Sequence, residues 1–257
     1  MIKVKNMTTR GEIYIYGTIV DDTDAKWLID ENGEVLGYQF PADIRAQLEA
    51  LAGLPIDVHI SSYGGDVSAA VVIYNMLAGH GATVTVYIDS IAASAASLIA
   101  FAGSEIVMPE NTFLMIHNPQ GGGFGDATYL LTIVDYLDKL REMIAATYEK
   151  HVKNGANIRE MMDNETWIPA ATAAEIFDNV RVVDANDIRA VAKFDVKALD
   201  SYKNVPEQLR TELTEPEAKP EAKPEVKPVD NTETKEAEVK KYIINILRRS
   251  YQHEKES

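Results

Sequence analysis

No cysteine occurs among the 257 residues. A disulfide scaffold, a thiolate zinc site and a cysteine nucleophile are therefore excluded. The absence also fits a cytosolic setting. Positive charge is scarce: 25 basic side chains face 40 acidic ones, for a net charge of −15. That balance argues against a nucleic-acid partner held by general electrostatics. Long apolar runs are missing too. The longest weakly polar stretch, Ala92 to Gly103, carries serines and falls well short of the roughly 20 residues that a membrane-spanning helix needs. The opening residues, MIKVKNMTTRGEIYIYG, contain no apolar core of signal-peptide length. The expectation is a soluble, cytoplasmic protein with no membrane partner.

What remains is a globular composition, 46% apolar and 25% charged. A packed core can then offset the entropy of ordering the chain. The composition changes near residue 205. Four of the ten prolines lie between Pro216 and Pro228, in PEAKPEAKPEVKP. Proline at every fourth position removes helix donors and bars a sheet interior, so residues 205–232 read as a disordered, extended Pro/Glu/Lys-rich linker. In residues 233–257, Val239, Tyr242, Ile243, Ile246 and Leu247 recur at helical spacing and predict a short amphipathic helix.

Residues 1–204 alternate strand-like and helix-like segments. Strands are predicted over Glu12 to Val20, Pro55 to Ser61, Thr83 to Ile88, Thr112 to Ile116 and Val180 to Val183. Helices are predicted over Asp43 to Leu51, Asp66 to Ala78, Ala92 to Ala102, Asp126 to Val152 and Ala170 to Phe177. Repeating βαβ units imply an α/β fold with parallel strands and right-handed crossovers. Loops at strand ends of such folds commonly hold the site.

Four segments carry residues suited to chemistry. Ser62-Tyr63-Gly64-Gly65-Asp66 lies between a strand and a helix. Its glycines allow a tight turn with exposed N–H groups, a place for an anion or a developing oxyanion. Asp89 to Ser97 offers Ser90, Ser94 and Ser97 at another strand-to-helix junction, where a serine nucleophile gains exposure. His117 follows the strand Thr112 to Ile116 and precedes the Gly-rich loop 121–125. A histidine so placed can act as general base. His59, His80, His151 and His253 sit within a strand, at helix ends or in the tail. Finally, Asp163 and Glu165 in MMDNETW can orient a histidine or cap a helix. The isolated histidines suggest no metal cluster, and no cofactor is expected.

Taken in order, these segments resemble the ClpP family of serine peptidases over about residues 12 to 185. SYGGD resembles that family's S-P-G-G turn. IAASAAS resembles its nucleophile segment and implies Ser94, rather than Ser90 or Ser97, as nucleophile. MIHNPQGGGFGDAT closely resembles its histidine segment and implies His117 as base. ETWIPAATAAEIFDNVRVVDA aligns Trp167 on a family phenylalanine and puts Glu165 at the third triad position, with Asp163 as the fallback. The resemblance implies a spiral of βαβ units, shared with crotonases, and a projecting handle helix from Asp126. It also implies an oxyanion hole from the backbone N–H groups of Gly65 and Ala95. Tyr63 replaces a family proline, Ala95 a methionine and Asn179 a glycine. Asparagine tolerates a left-handed backbone better than most residues.

The resemblance implies a serine endopeptidase, ATP-independent or fed by a partner, with a polypeptide substrate and a homo-oligomeric ring. The PEAKP tail resembles those of prohead proteases of tailed bacteriophages. That would make the substrate a capsid or scaffold protein and the setting the host cytoplasm. A non-catalytic scaffold on the same fold and a housekeeping peptidase fed by an ATPase are the alternatives. A serine–lysine dyad is disfavoured, because no lysine occurs from Trp27 through Asp138. Leu130, Leu131, Val134, Leu137, Leu140, Met143 and Ile144 recur at helical spacing on the handle segment, which a neighbouring subunit should cover.

Overall fold

The computed structural model describes residues 9–25, 37–185, 199, 201–207 and 209. The expected terminal helix, His253 and nearly all of the expected linker lie outside them.

Strand β1 (Gly11–Ile19) buries Ile13, Ile15 and Ile19 on one face, as period-two alternation requires. A short helix α1 (Asp22–Ala25) and a two-residue strand β2 (Tyr38–Gln39) follow. Helix α2 (Pro41–Ala50) starts with proline in its first turn, where the missing N–H costs nothing. Strand β3 (Ile56–Gly65) leads to α3 (Val67–Ala78), capped by the Asp66 side chain, which accepts from Ala69 N at 2.7 Å. Strand β4 (Val84–Ala93) leads to α4 (Ala95–Ala100). Strands β5 (Glu105–Pro109) and β6 (Phe113–Ile116) come next. The 23-residue helix α5 (Ala127–Glu149) is capped by Asp126. Then come α6 (Ile158–Asp163), β7 (Thr166–Pro169), α7 (Ala170–Ile176) and β8 (Val180–Val183).

The sheet runs β2-β1-β3-β4-β5-β8, all in parallel. It forks at β4. Thr85 to Tyr87 pair with β5, whereas Ile91 to Ala93 pair with β6. Ser94 stands at the tip of this second prong and His117 directly after β6, so the fork brings them together. One face of the sheet carries the main core, in which Ile60, Ile73, Val86, Ile99 and Ile106 are fully buried. On the other face the rings of Tyr14, His59 and Tyr87 stack in register across β1, β3 and β4, at centroid spacings of 4.8 and 5.0 Å.

The mixed α/β architecture with a parallel sheet agrees with the expected fold class. Several boundaries differ. Strands β3 and β4 run on through Gly65 and Ala93, because β1 and β6 supply hydrogen-bonding partners there. The helix expected from Ala92 therefore starts at Ala95. Strands β2, β5 and β7 and helix α6 are too short for periodicity to mark. β7 is antiparallel to β6, an exception to the parallel rule. Asn179 does not have positive φ. Its carbonyl accepts from Ile106 N at 2.8 Å and its side chain donates to the Gly103 carbonyl at 3.4 Å, so it serves in the β5–β8 edge.

Candidate active site

Ser94 joins β4 to α4 with φ 54° and ψ −125°. A non-glycine residue pays for a left-handed backbone, so its surroundings must hold it there. They do so from both sides. Ser94 N donates to the Met115 carbonyl at 2.9 Å. The buried Ser97 hydroxyl donates to the Ser94 carbonyl at 2.6 Å and lies 2.9 Å from the Tyr148 hydroxyl. Ser97 thus supports the turn, and Ser90 lies earlier in β4. The resulting turn aims Ser94 Oγ at His117 Nε2, 2.7 Å away.

The glycines fit tightly beside this turn. Gly64 has φ 97°, and a Cβ there would meet the Ala93 carbonyl at 2.7 Å and Ala95 N and Ser94 Cβ at 2.9 Å. Gly65 makes room for the Ile19 carbonyl. Ala95 opens α4, so its N–H belongs to the set that has no partner inside a helix. An apolar pocket adjoins Ser94 and His117, lined by Val67, Leu98, Pro119, Ile144 and Tyr148.

Burial pushes the His117 pKa below its usual value, and the charge of Glu165 partly opposes that. Glu165 is buried and has φ 46°. It lines a second, polar pocket together with His117, Asn118, Lys203 and Asn204. Its Oε1 accepts from Lys203 N at 2.6 Å and Asn204 N at 2.8 Å. Among the described residues its hydrogen bonds run to these amides and not to His117. Asp163 points elsewhere: its carboxylate accepts from Asn118 Nδ2 and Arg141 Nη2, both at 2.8 Å. Those hydrogen bonds, to Asn118 first and then Arg141, hold its pKa below the usual carboxylate value.

The other described histidines serve the framework. His59 Nδ1 lies 3.0 Å from the buried Asp89, which also accepts from the Tyr16 hydroxyl. His80 Nε2 lies 2.8 Å from the Leu54 carbonyl, and His151 Nδ1 lies 3.2 Å from Asp178. Among the described residues no cluster of three or more histidines and carboxylates is gathered as for a metal ion. Nor is any helix among them long and apolar enough to cross a membrane.

The family model described as Clp protease matches residues 34–180. The chain belongs to the Clp protease family. It is a serine peptidase, and its paired Ser94 and His117 lie within the matched region. An ATP-dependent Clp protease proteolytic subunit of Mesostigma viride is 26% identical over 214 residues, covering 78% of this chain and 88% of the relative. Proteolytic subunit 1 of an ATP-dependent Clp protease from Rhodococcus jostii is 32% identical over 149 residues, covering 54% and 67%. A Bdellovibrio bacteriovorus proteolytic subunit is 33% identical over 128 residues, covering 47% and 60%.

Sequence reasoning weighed Ser97 only as a nucleophile and missed its support of the Ser94 turn with Tyr148, and it missed the whole of Tyr202 to Asn204. Tyr202 stacks edge-on to His117 at a centroid distance of 5.7 Å. No motif pointed to that segment, which lies beyond the matched region.

Proposed function

We propose that Ser94, His117 and Glu165 form the catalytic triad of an endopeptidase. The Ser94 Oγ–His117 Nε2 hydrogen bond of 2.7 Å carries this reading. His117 takes the Ser94 proton as Oγ attacks the scissile carbonyl, and then gives it to the leaving amine. Its depressed pKa keeps the imidazole neutral, and so basic, at neutral pH. Glu165 favours the imidazolium that forms during the reaction. The N–H groups of Gly65 and Ala95 receive the oxyanion, each worth about 3 kcal/mol when well placed. Water then hydrolyses the acyl-enzyme by the same steps.

The substrate is a polypeptide and the working form a homo-oligomeric ring. Tyr129, Leu130, Leu131, Val134 and Tyr136 are exposed along α5, an apolar surface that a neighbouring subunit covers. The substrate class is the capsid or scaffold protein of a tailed bacteriophage, cut during head maturation. The PEAKP segment beyond the matched region supports this assignment. A second reading rests on the similarity to ATP-dependent proteolytic subunits: a proteolytic subunit to which an ATPase delivers chains. Domain limits of 1–204, 205–232 and 233–257 belong to the same proposal.

Purified wild-type protein and Ser94→Ala, each given a phage scaffold protein and an unfolded casein without ATP, test these readings together. Cleavage of scaffold by wild type alone supports the maturation role. Cleavage of casein only after an ATPase is added favours the second reading. Equal cleavage by Ser94→Ala contradicts both.

A further inference from the structure

A buried carboxylate with a left-handed backbone needs something to hold it, and the Clp-matched region ends at residue 180. What holds it comes from beyond that limit. Lys203 N and Asn204 N converge on a single oxygen, Glu165 Oε1, at 2.6 and 2.8 Å. The Asn204 side chain donates to the carbonyl of the preceding residue, Asn164, at 2.7 Å. The Tyr202 hydroxyl donates to the Tyr63 carbonyl, and its ring packs edge-on against both His117 and Trp167 at 5.7 Å. Leu209 is buried against Ile91, Ala93 and Met115, with Val205 beside it. The segment is thus anchored at both ends and touches the base, the acid and the strand before Gly64.

We infer that Tyr202, Lys203 and Asn204 form a positioning clamp for the triad, in which two backbone N–H groups aim Glu165 at His117 and the Tyr202 ring walls off the imidazole. The inference rests on the triad reading above. Pinning Oε1 by two amide donors fixes the carboxylate's orientation in the polar pocket that it lines together with His117. Charge-assisted bonds of this kind are among the stronger hydrogen bonds. Peptidase activity then depends on residues beyond the matched region, and the start of the proposed linker, Val205 and Leu209, packs as part of the catalytic unit. Lys203 and Asn204 act through Glu165, whereas Tyr202 packs on His117 and its hydroxyl also interacts with the Ser94 side chain.

The test measures the rate of fluorophosphonate labelling of the full-length chain across a pH series. Lys203→Pro removes one of the two amide donors. It should slow labelling at least about tenfold and move the acid limb to lower pH, in the direction of Glu165→Gln, because a carboxylate turned away from His117 raises its pKa less. Combined with Glu165→Gln it should add less than about twofold, since both changes remove the same interaction. Asn204→Ala keeps both amides and loses only the tether to Asn164. It should shift rate and limb the same way by less, and it serves if the proline variant does not fold. A faster rate in either variant overturns the clamp and makes the segment a plug over the site. An unchanged rate, a slower rate with an unmoved limb, or full additivity with Glu165→Gln also overturns it. Ser94→Ala separates the two levels. If that variant labels like wild type, the triad reading itself fails. If it does not label while Lys203→Pro behaves as wild type, only the clamp fails.

Discussion

Ser94 and Glu165 share a backbone condition: among the described residues they are the two non-glycines with positive φ, 54° and 46°. Such conformations cost on the order of 1–3 kcal/mol each and persist where the surroundings over-determine them. Hydrogen bonds to Met115, Ser97, Lys203 and Asn204 do so here. The two residues proposed as nucleophile and triad acid are thus the two held under strain.

That strain is measurable. Ser94→Gly and Ser94→Ala both delete the hydroxyl, but only alanine keeps a Cβ in the left-handed region. Ser94→Gly should be the more stable of the two by about 1 kcal/mol, read from urea unfolding at neutral pH. Equal stabilities would mean that the turn is not strained.

The two candidate acids predict different pH profiles. His117 has a depressed pKa, from burial first with Glu165 opposing. The acid limb of kcat/KM should therefore lie below the ordinary histidine value of about 6.5. Glu165→Gln removes the opposing charge, so the limb should move lower still while the maximum rate falls by roughly 10²–10⁴. Asp163→Ala should leave both limb and rate within about threefold, because its partners are Asn118 and Arg141 and a surface substitution of this kind has small effects. The two profiles, measured side by side, distinguish the assignments.

Asp43 carries a stability signature. Burial raises its pKa to about 6, with the Gln47 hydrogen bond opposing. Its folded value is above the unfolded one, so the protonated form favours the fold. The contribution of Asp43 to stability is greatest below pH of about 4 and is lost as pH rises through about 6, by up to roughly 2–3 kcal/mol in all. Asp43→Asn should raise Tm at pH 8 relative to wild type, with the gain vanishing near pH 4. A gain independent of pH would contradict this account.

The exposed face of α5 predicts an assembly defect. Leu131 is 68% exposed and Val134 53% exposed. Leu131→Asp with Val134→Asp should lower the mass seen by light scattering toward that of a single chain. Each change should cost the subunit fold no more than about 0.5 kcal/mol, because neither side chain is in the core. An unchanged assembly mass would remove α5 from the interface.

Much of this site was legible in the sequence. A serine at a strand-to-helix junction and a histidine at a strand end are local patterns, and the structure joins them because β6 pairs with the last residues of β4. The order of elements was legible for the same reason: long apolar strands and helices declare their period. The fork was not, since it depends on pairing between segments that local pattern does not encode. Nor was Glu165's environment. Its partners are backbone amides at 203 and 204, and any sequence supplies a backbone amide. The extra length of β3 and β4 was hidden in the same way: the added residues, Ser62 to Gly65 and Asp89 to Ala93, hold only Tyr63 and Ile91 as strand formers among serine, aspartate, glycine and alanine, and the neighbouring strands keep them extended.

The most direct test of the central claim is to treat the full-length protein with a fluorophosphonate and locate the adduct by peptide mass spectrometry. One adduct per chain is expected, on the peptide containing Ser94, abolished in both Ser94→Ala and His117→Ala. An adduct on Ser90, Ser97 or any other residue, or one that persists in His117→Ala at the wild-type rate, would contradict it.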